Sequence, residues 1–221
     1  MKLSIKECFS FGWTTFKKRP WIFVKAGLAL ALVSVVFNIM SSAIQFGFES
    51  TTSPLAIILF LVAFGLLSLV SIYISIVLNN MGVTQFYLRA HESVETLTVK
   101  DLWAPRPFWK YVLTSILVAL AFLIGIILLI VPGIVAMLVF GMSLYLVMDR
   151  GMEPVLALKE SARITKGNRW RLFGLYLAIL GLNIVGVLLL VVGLLVTVPV
   201  TMLAAVHAYK ILSGSQTLVT A

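Results

Sequence analysis

Residues Phe108 to Met148 read FWKYVLTSILVALAFLIGIILLIVPGIVAMLVFGMSLYLVM, with no charged side chain after Lys110. A single helix of that length would measure about 60 Å at ~1.5 Å per residue, twice the ~30 Å hydrocarbon core of a bilayer. The stretch must therefore fold back on itself. The predicted hairpin has one span over 108–130, a turn at Val131-Pro132-Gly133 and a short return span over 134–148.

The same reading extends in both directions. Downstream, a span over 170–192, a turn at Gly193 and a return over 194–212 make a second apolar hairpin. Upstream, spans over 21–45 and 55–78 flank the polar loop Gly47 to Pro54, in which Glu49 is the single charge. The predicted fold is all-α: one transmembrane domain over 1–221, a polytopic integral membrane bundle of six transmembrane helices. They form three parallel-repeated hairpins with interfacial amphipathic helices between them. Composition agrees, since 61% of residues are hydrophobic and 11% charged, with a mean hydropathy of +1.10. A soluble domain carries about 25% charged residues.

Two amphipathic stretches complete the pattern. Ser4-Ile5-Lys6-Glu7 is a capping box opening a helix over 4–18, with Leu3 and Cys8 placed as its hydrophobic staple. Glu153-Pro154 opens another over 154–166, which Gly167 can end. In the second, Val155, Leu158 and Ala162 form one stripe and Lys159, Arg163 and Lys166 the next. Both helices are expected at the membrane interface, apolar face toward lipid. The lone Cys8 excludes an intramolecular disulfide. The apolar run after Lys17-Lys18-Arg19 is too long for a cleavable signal, so no leader is expected.

The net charge of +9 suggests nucleic acid at first sight, but its placement points elsewhere. All 17 Lys and Arg residues lie at Lys2–Lys25, Arg89–Lys110, Arg150–Arg171 and Lys210, separated by the apolar hairpins. Basic residues held on the cytoplasmic side set topology and attract anionic headgroups. The expectation is a prokaryotic plasma (inner) membrane protein, multi-pass, with cytoplasmic N- and C-termini and no nucleic-acid partner. Trp21, Trp109 and Trp170 each open a hairpin beside basic residues and are expected to anchor it at headgroup level.

Hairpins two and three align when Trp109 is set on Trp170: Lys110 meets Arg171, Gly125 meets Gly186, and Leu128-Leu129 meets Leu189-Leu190. The repeats enter from one side. They differ from the inverted repeats of many alternating-access transporters. The turns at 131–133 and 191–194 lack polar side chains, so shallow outer ends are expected.

Chemistry is sparse. His91 and His207 have no metal-ligand neighbour at helical spacing, and no zinc, thiol-redox, serine-hydrolase or phosphate-loop motif occurs. Catalytic residues, metal and cofactor are all expected to be none. Glu92, Glu95, Asp101, Asp149, Glu153 and Glu160 all map to the basic side and read as salt-bridge partners, with convergence on a metal the rival reading. No charged residue occupies the middle third of a span, which disfavours ion-coupled transport. The milder residues Asn38, Ser68, Ser71, Ser75, Thr114, Ser115, Asn183, Thr197 and Thr201 read as packing seams.

The runs Leu129 to Val135, Asp149 to Ser161 and Thr165 to Phe173 resemble a broad group of prokaryotic integral membrane proteins. That group is similar to the membrane domain joined to some glycerophosphoryl diester phosphodiesterases. The resemblance covers about 60% of the chain, from Gly82 to Gly214. It implies a helical module without catalytic residues, because the soluble phosphodiesterase barrel has no counterpart here.

The functional expectation is a non-enzymatic scaffold, anchor or lipid-interacting protein. Its partners would be membrane phospholipids, preferentially anionic, with a membrane-protein partner or a homo-oligomer as further possibilities. Lys159, Arg163, Lys166, Arg169 and Arg171 are the expected headgroup-binding residues. The alternative is a transporter or flippase for a lipid or small amphiphile, using a groove near Asn38 and Asn183.

Overall fold

A computed structural model describes residues 3–32, 54–103, 107–189 and 193–214, with the backbone alone over most of 54–75 and at position 130. Among these described residues the regular structure is helical throughout. Helix α1 (Ile5–Lys18) begins at Ser4, whose hydroxyl accepts the Glu7 N–H at 3.4 Å. Glu7 in its first turn and Lys17 and Lys18 in its last oppose the helix dipole. Pro20 then opens α2 (Pro20–Leu32). The rest of the expected first span, 33–45, lies outside the described residues, as does the loop 47–53.

Helix α3 (Pro54–Glu92) contains the expected second span and continues past Asn79-Asn80. Its 39 residues measure about 58 Å, nearly twice the ~30 Å of a bilayer core. A short 3-10 helix (Val99–Trp103) precedes α4 (Phe108–Leu128). Then come α5 (Ile130–Phe140), α6 (Ser143–Arg150), α7 (Pro154–Thr165), α8 (Arg169–Leu188) and α9 (Leu194–Leu212). Among the described residues four stretches are long and apolar enough to cross a membrane: α4, Val131–Arg150, α8 and α9.

The hairpin at 108–148 departs from expectation in two places. Its turn is Leu129, extended at φ −177°, and Val131-Pro132-Gly133 form the first turn of α5 instead. Proline is tolerated there because first-turn N–H groups have no intrahelical partner. Gly133 serves a contact: a Cβ on Gly125 would lie 2.7 Å from Gly133 Cα. The return is also not one helix, since α5 and α6 part at Gly141-Met142. A Cβ on Gly141 would lie 3.3 Å from the Tyr176 hydroxyl, so the break admits α8. The hairpin at 170–212 closes similarly, a Cβ on Gly193 falling 2.5 Å from the Gly186 carbonyl oxygen. Residues 190–192 lie outside the described residues.

Helix α9 is the centre of the bundle. Leu203, Ala204, Val206, Ala208 and Tyr209 are buried on all its sides. Helices α4 and α8 do the opposite and turn apolar side chains outward, Ile127 being 81% and Leu188 75% exposed. Such a surface is suited to hydrocarbon, where it costs nothing to leave uncovered.

The apolar face of α1 meets α9 rather than lipid. Cys8, Gly12, Thr15 and Phe16 are its buried residues, and Gly12 abuts the Val200 carbonyl and Ala204. Small residues on both helices allow that approach. Helix α7 likewise buries Pro154, Ala157, Ser161 and Thr165. Val155, of the stripe expected to face lipid, stays 55% exposed, and the face that packs inward is the neighbouring one of small residues. The small residues win because their hydroxyls are satisfied at close range: Ser161 Oγ donates to the Val139 carbonyl at 2.6 Å and Thr165 Oγ1 to the Ser161 carbonyl at 2.8 Å.

Candidate functional site

Every basic cluster meets at one end of the bundle. At its centre is Lys210 on α9, 6% exposed, whose Nζ lies 2.8 Å from Asp149 Oδ1 and 3.0 Å from Glu92 Oε1. Asp149 Oδ2 accepts the Tyr209 hydroxyl at 2.7 Å. A buried ammonium requires such partners, because desolvating an unpaired charge costs several kcal/mol. One turn deeper on α9, His207 Nδ1 lies 3.0 Å from His91 Nε2 of α3. Phe11 of α1 stacks on the His207 ring at 4.2 Å and lies 4.6 Å from His91. Four elements, α1, α3, α6 and α9, are tied here by polar or aromatic contacts.

A rim of backbone ties surrounds this centre. Arg19 donates to the carbonyls of Val94, Glu95 and Leu97, and Arg150 to that of Ser213 at 2.8 Å. Lys110 donates to the Gly151 carbonyl and pairs with Glu153 at 2.7 Å. The Leu3 N–H donates to Asn168 Oδ1, and Arg171 donates to the Leu3 carbonyl, holding the start of α1 on the start of α8. Gly151 and Gly167, at φ 62° and 85°, make the left-handed turns that the ends of α6 and α7 need. The run Asp149 to Arg171 thus holds the connectors of this end together.

Five of the six carboxylates that the sequence places on the basic side are ion-paired: Glu92 and Asp149 with Lys210, Asp101 with Arg89, Glu153 with Lys110, and Glu160 with Arg163. Burial would raise the Asp101 pKa, but hydrogen bonds from the Thr98 N–H and hydroxyl and from Arg89 outweigh it and hold it below the usual range. The bidentate Arg163 bond likewise holds Glu160 low. Among the described residues no group of three or more His, Cys, Asp or Glu side chains is placed to hold a metal.

The expected headgroup residues Lys159, Arg163, Lys166, Arg169 and Arg171 are all exposed. They are not equivalent. Arg163 is engaged by Glu160 and Arg171 by Leu3, whereas Lys159, Lys166 and Arg169 reach outward. Trp21, Trp109 and Trp170 are exposed by 74%, 73% and 86%. A polar cleft of about 350 Å³ lies between the end of α7 and the end of α9, bordered by Glu160, Arg163, Lys166 and Gly214.

Two of the described polar residues in the expected spans, Ser115 and Asn183, link neighbouring helices, while Thr114 bonds within its own. Thr114 donates to the Lys110 carbonyl, Ser115 pairs with Tyr73 across α3 and α4 at 2.8 Å, and Asn183 reaches Thr201 across α8 and α9 at 3.4 Å. Asn183 Oδ1 and Thr197 Oγ1 are buried without a partner. Asn38 and the side chains of Ser68, Ser71 and Ser75 lie outside the described residues. The polar centre around Lys210 escaped sequence reasoning. Only the lone lysine near the end of an apolar helix hinted at it.

Three relatives match the chain, each 30% identical over 120 residues. They are the uncharacterised proteins Rv2560 and MT2637 of Mycobacterium tuberculosis (strains H37Rv and CDC 1551) and Mb2590 of Mycobacterium bovis. The match covers 54% of this chain and 37% of each relative, so the chain spans little more than a third of their length. No family model matches, and the resemblance to the membrane domain of glycerophosphoryl diester phosphodiesterases finds no support there. No solved structure matches.

Proposed function

We propose that the protein is a non-enzymatic module of a prokaryotic inner membrane, a scaffold or anchor whose basic cytoplasmic end engages anionic phospholipid headgroups. It crosses the bilayer six times, as three hairpins of one kind, with both termini on the cytoplasmic side. The observation that carries the reading is the surface of α7 and the start of α8. There Lys159, Lys166 and Arg169 stand exposed beside exposed Val155, Leu156 and Trp170. Apolar side chains for the acyl boundary and cations for the phosphates are what a headgroup-level surface needs. The glycine contacts support the hairpin relationship: Gly125 and Gly186, which match in sequence, both meet the returning helix where a Cβ would not fit.

Each cation near an anionic surface contributes about 1 kcal/mol, roughly fivefold in binding. Replacing Lys159, Lys166 and Arg169 with Gln should therefore deplete phosphatidylglycerol and cardiolipin from gently purified protein by well over tenfold. Arg163→Gln should change retention little, its charge being engaged by Glu160. Equal lipid retention in the triple variant and the parent would remove the proposal.

The transporter reading has one observation in its favour. An apolar cavity of about 220 Å³ opens between α2, α3 and α9, bordered by Phe23, Leu30, Phe86, Leu195 and Pro199. Among the described residues its walls are almost wholly apolar and suit an acyl chain rather than a headgroup, so the anchor reading is preferred.

A further inference from the structure

We propose that the His91–His207 pair beneath Phe11 is an acid-sensitive latch that holds the N-terminal helix α1 against the bundle. Two imidazole nitrogens 3.0 Å apart share one hydrogen: one ring donates and the other must offer a lone pair. Once both rings are cationic, both nitrogens carry hydrogens and the bond becomes a repulsion. The neighbours set how many protons the pair accepts. Lys210 on α9 repels them. Asp149 on α6 attracts a proton to His91; Glu92 on α3 and Glu7 on α1 are the other nearby carboxylates, and Asp149 and Glu92 are both engaged by Lys210. One proton leaves the bond intact, and the second breaks it.

The charged pair then needs water, and its cover is Phe11. Phe11 belongs to α1, and its ring closes over both imidazoles. Hydrating the pair therefore means moving α1. That helix is also held by its buried Leu3, Cys8, Thr15 and Phe16, by Gly12 against Val200 and Ala204, and by two hydrogen bonds at Leu3, so the latch adds to this packing and is the part of it that acid weakens. His91 stands near the end of α3, beyond the expected span. Burial, with the neighbouring His207 and Lys210 charges, pushes it down to about 4 against a partial opposing effect of Asp149. Its folded-state value is thus below the ordinary 6.5, so the folded form binds protons less readily than the open one. The latch is fully closed above about pH 6.5 and weakens as the pH falls toward 4.

The chain carries its own reporter. Cys8, the single cysteine, is fully buried on the same helix face one turn before Phe11. The test is the rate of Cys8 modification by a pyridyl disulfide in nanodiscs from pH 7.5 to 4. Rates are normalised at each pH to the same reagent on denatured protein. The normalised rate should rise as the pH falls below 6.5, by up to about tenfold per pH unit. His207→Gln and His91→Gln, which keep a hydrogen-bonding group but cannot become charged, should each flatten the profile. A flat wild-type profile would overturn the latch, whatever the variants do. So would an acid-dependent rise that survives in both folded variants.

Discussion

Lys210 is the residue on which the basic end turns, and its two carboxylate partners are unequal. Asp149 is 12% exposed and has little water to fall back on, whereas Glu92 is 58% exposed. Removing the cation leaves Asp149 buried with the Tyr209 hydroxyl but no counter-charge, so Lys210→Met should destabilise the protein by about 3 kcal/mol. Glu92→Gln should cost less than about 1 kcal/mol, in the range of an exposed pair. Thermal unfolding in one detergent compares the two; equal losses would mean that Asp149 is not the principal partner. Asp101 supplies a pH signature at the same scale. Its folded pKa lies below the ordinary 3.8, so its contribution is present above that value and disappears as pH falls through the folded value. Asp101→Asn should flatten the acid limb of the melting-temperature profile below about pH 4 and leave the neutral region parallel to wild type. The sequence showed these carboxylates as salt-bridge partners, but it could not show which cation each would meet. Lys210 and Asp149 are joined through packing of helices far apart in the chain, and no local pattern encodes that.

At the scale of elements, the hairpins depend on glycines used for contact. A Cβ on Gly125 would strike the Gly133 backbone, which cannot give way as a flexible side chain would. Gly125→Ala should therefore cost about 1–3 kcal/mol through overpacking. Gly181→Ala, where nothing lies within 4 Å, should be neutral or stabilising by up to about 1 kcal/mol through helix propensity. Melting temperatures of the two variants in the same detergent check the contrast. Helix positions were largely legible, because apolar runs, Ser4, Pro154 and Gly167 mark ends by local chemistry. The turn at Leu129 was not. Proline and glycine are usual turn residues, and here they were recruited to a helix start and a close contact instead. The packing faces of α1 and α7 were hidden for a related reason. Hydrophobic periodicity finds the greasiest stripe, while close helix packing selects the smallest one.

At the scale of the molecule, the central idea is that the basic segments form one structure on one side of a bilayer. Contacts among Leu3, Arg19, Val94, Lys110, Gly151, Asn168, Lys210 and Ser213 join the connectors into that single end. The most direct measurement is sidedness. In a Cys8→Ala background, single cysteines at Thr96, Met152, Ser213 and Ser50 would be exposed to an impermeant maleimide in intact cells and in inverted vesicles. The first three should react only in inverted vesicles, and the one at Ser50 only in intact cells. If any of the first three reacted from the opposite side to the other two, the basic end could not be one cytoplasmic structure.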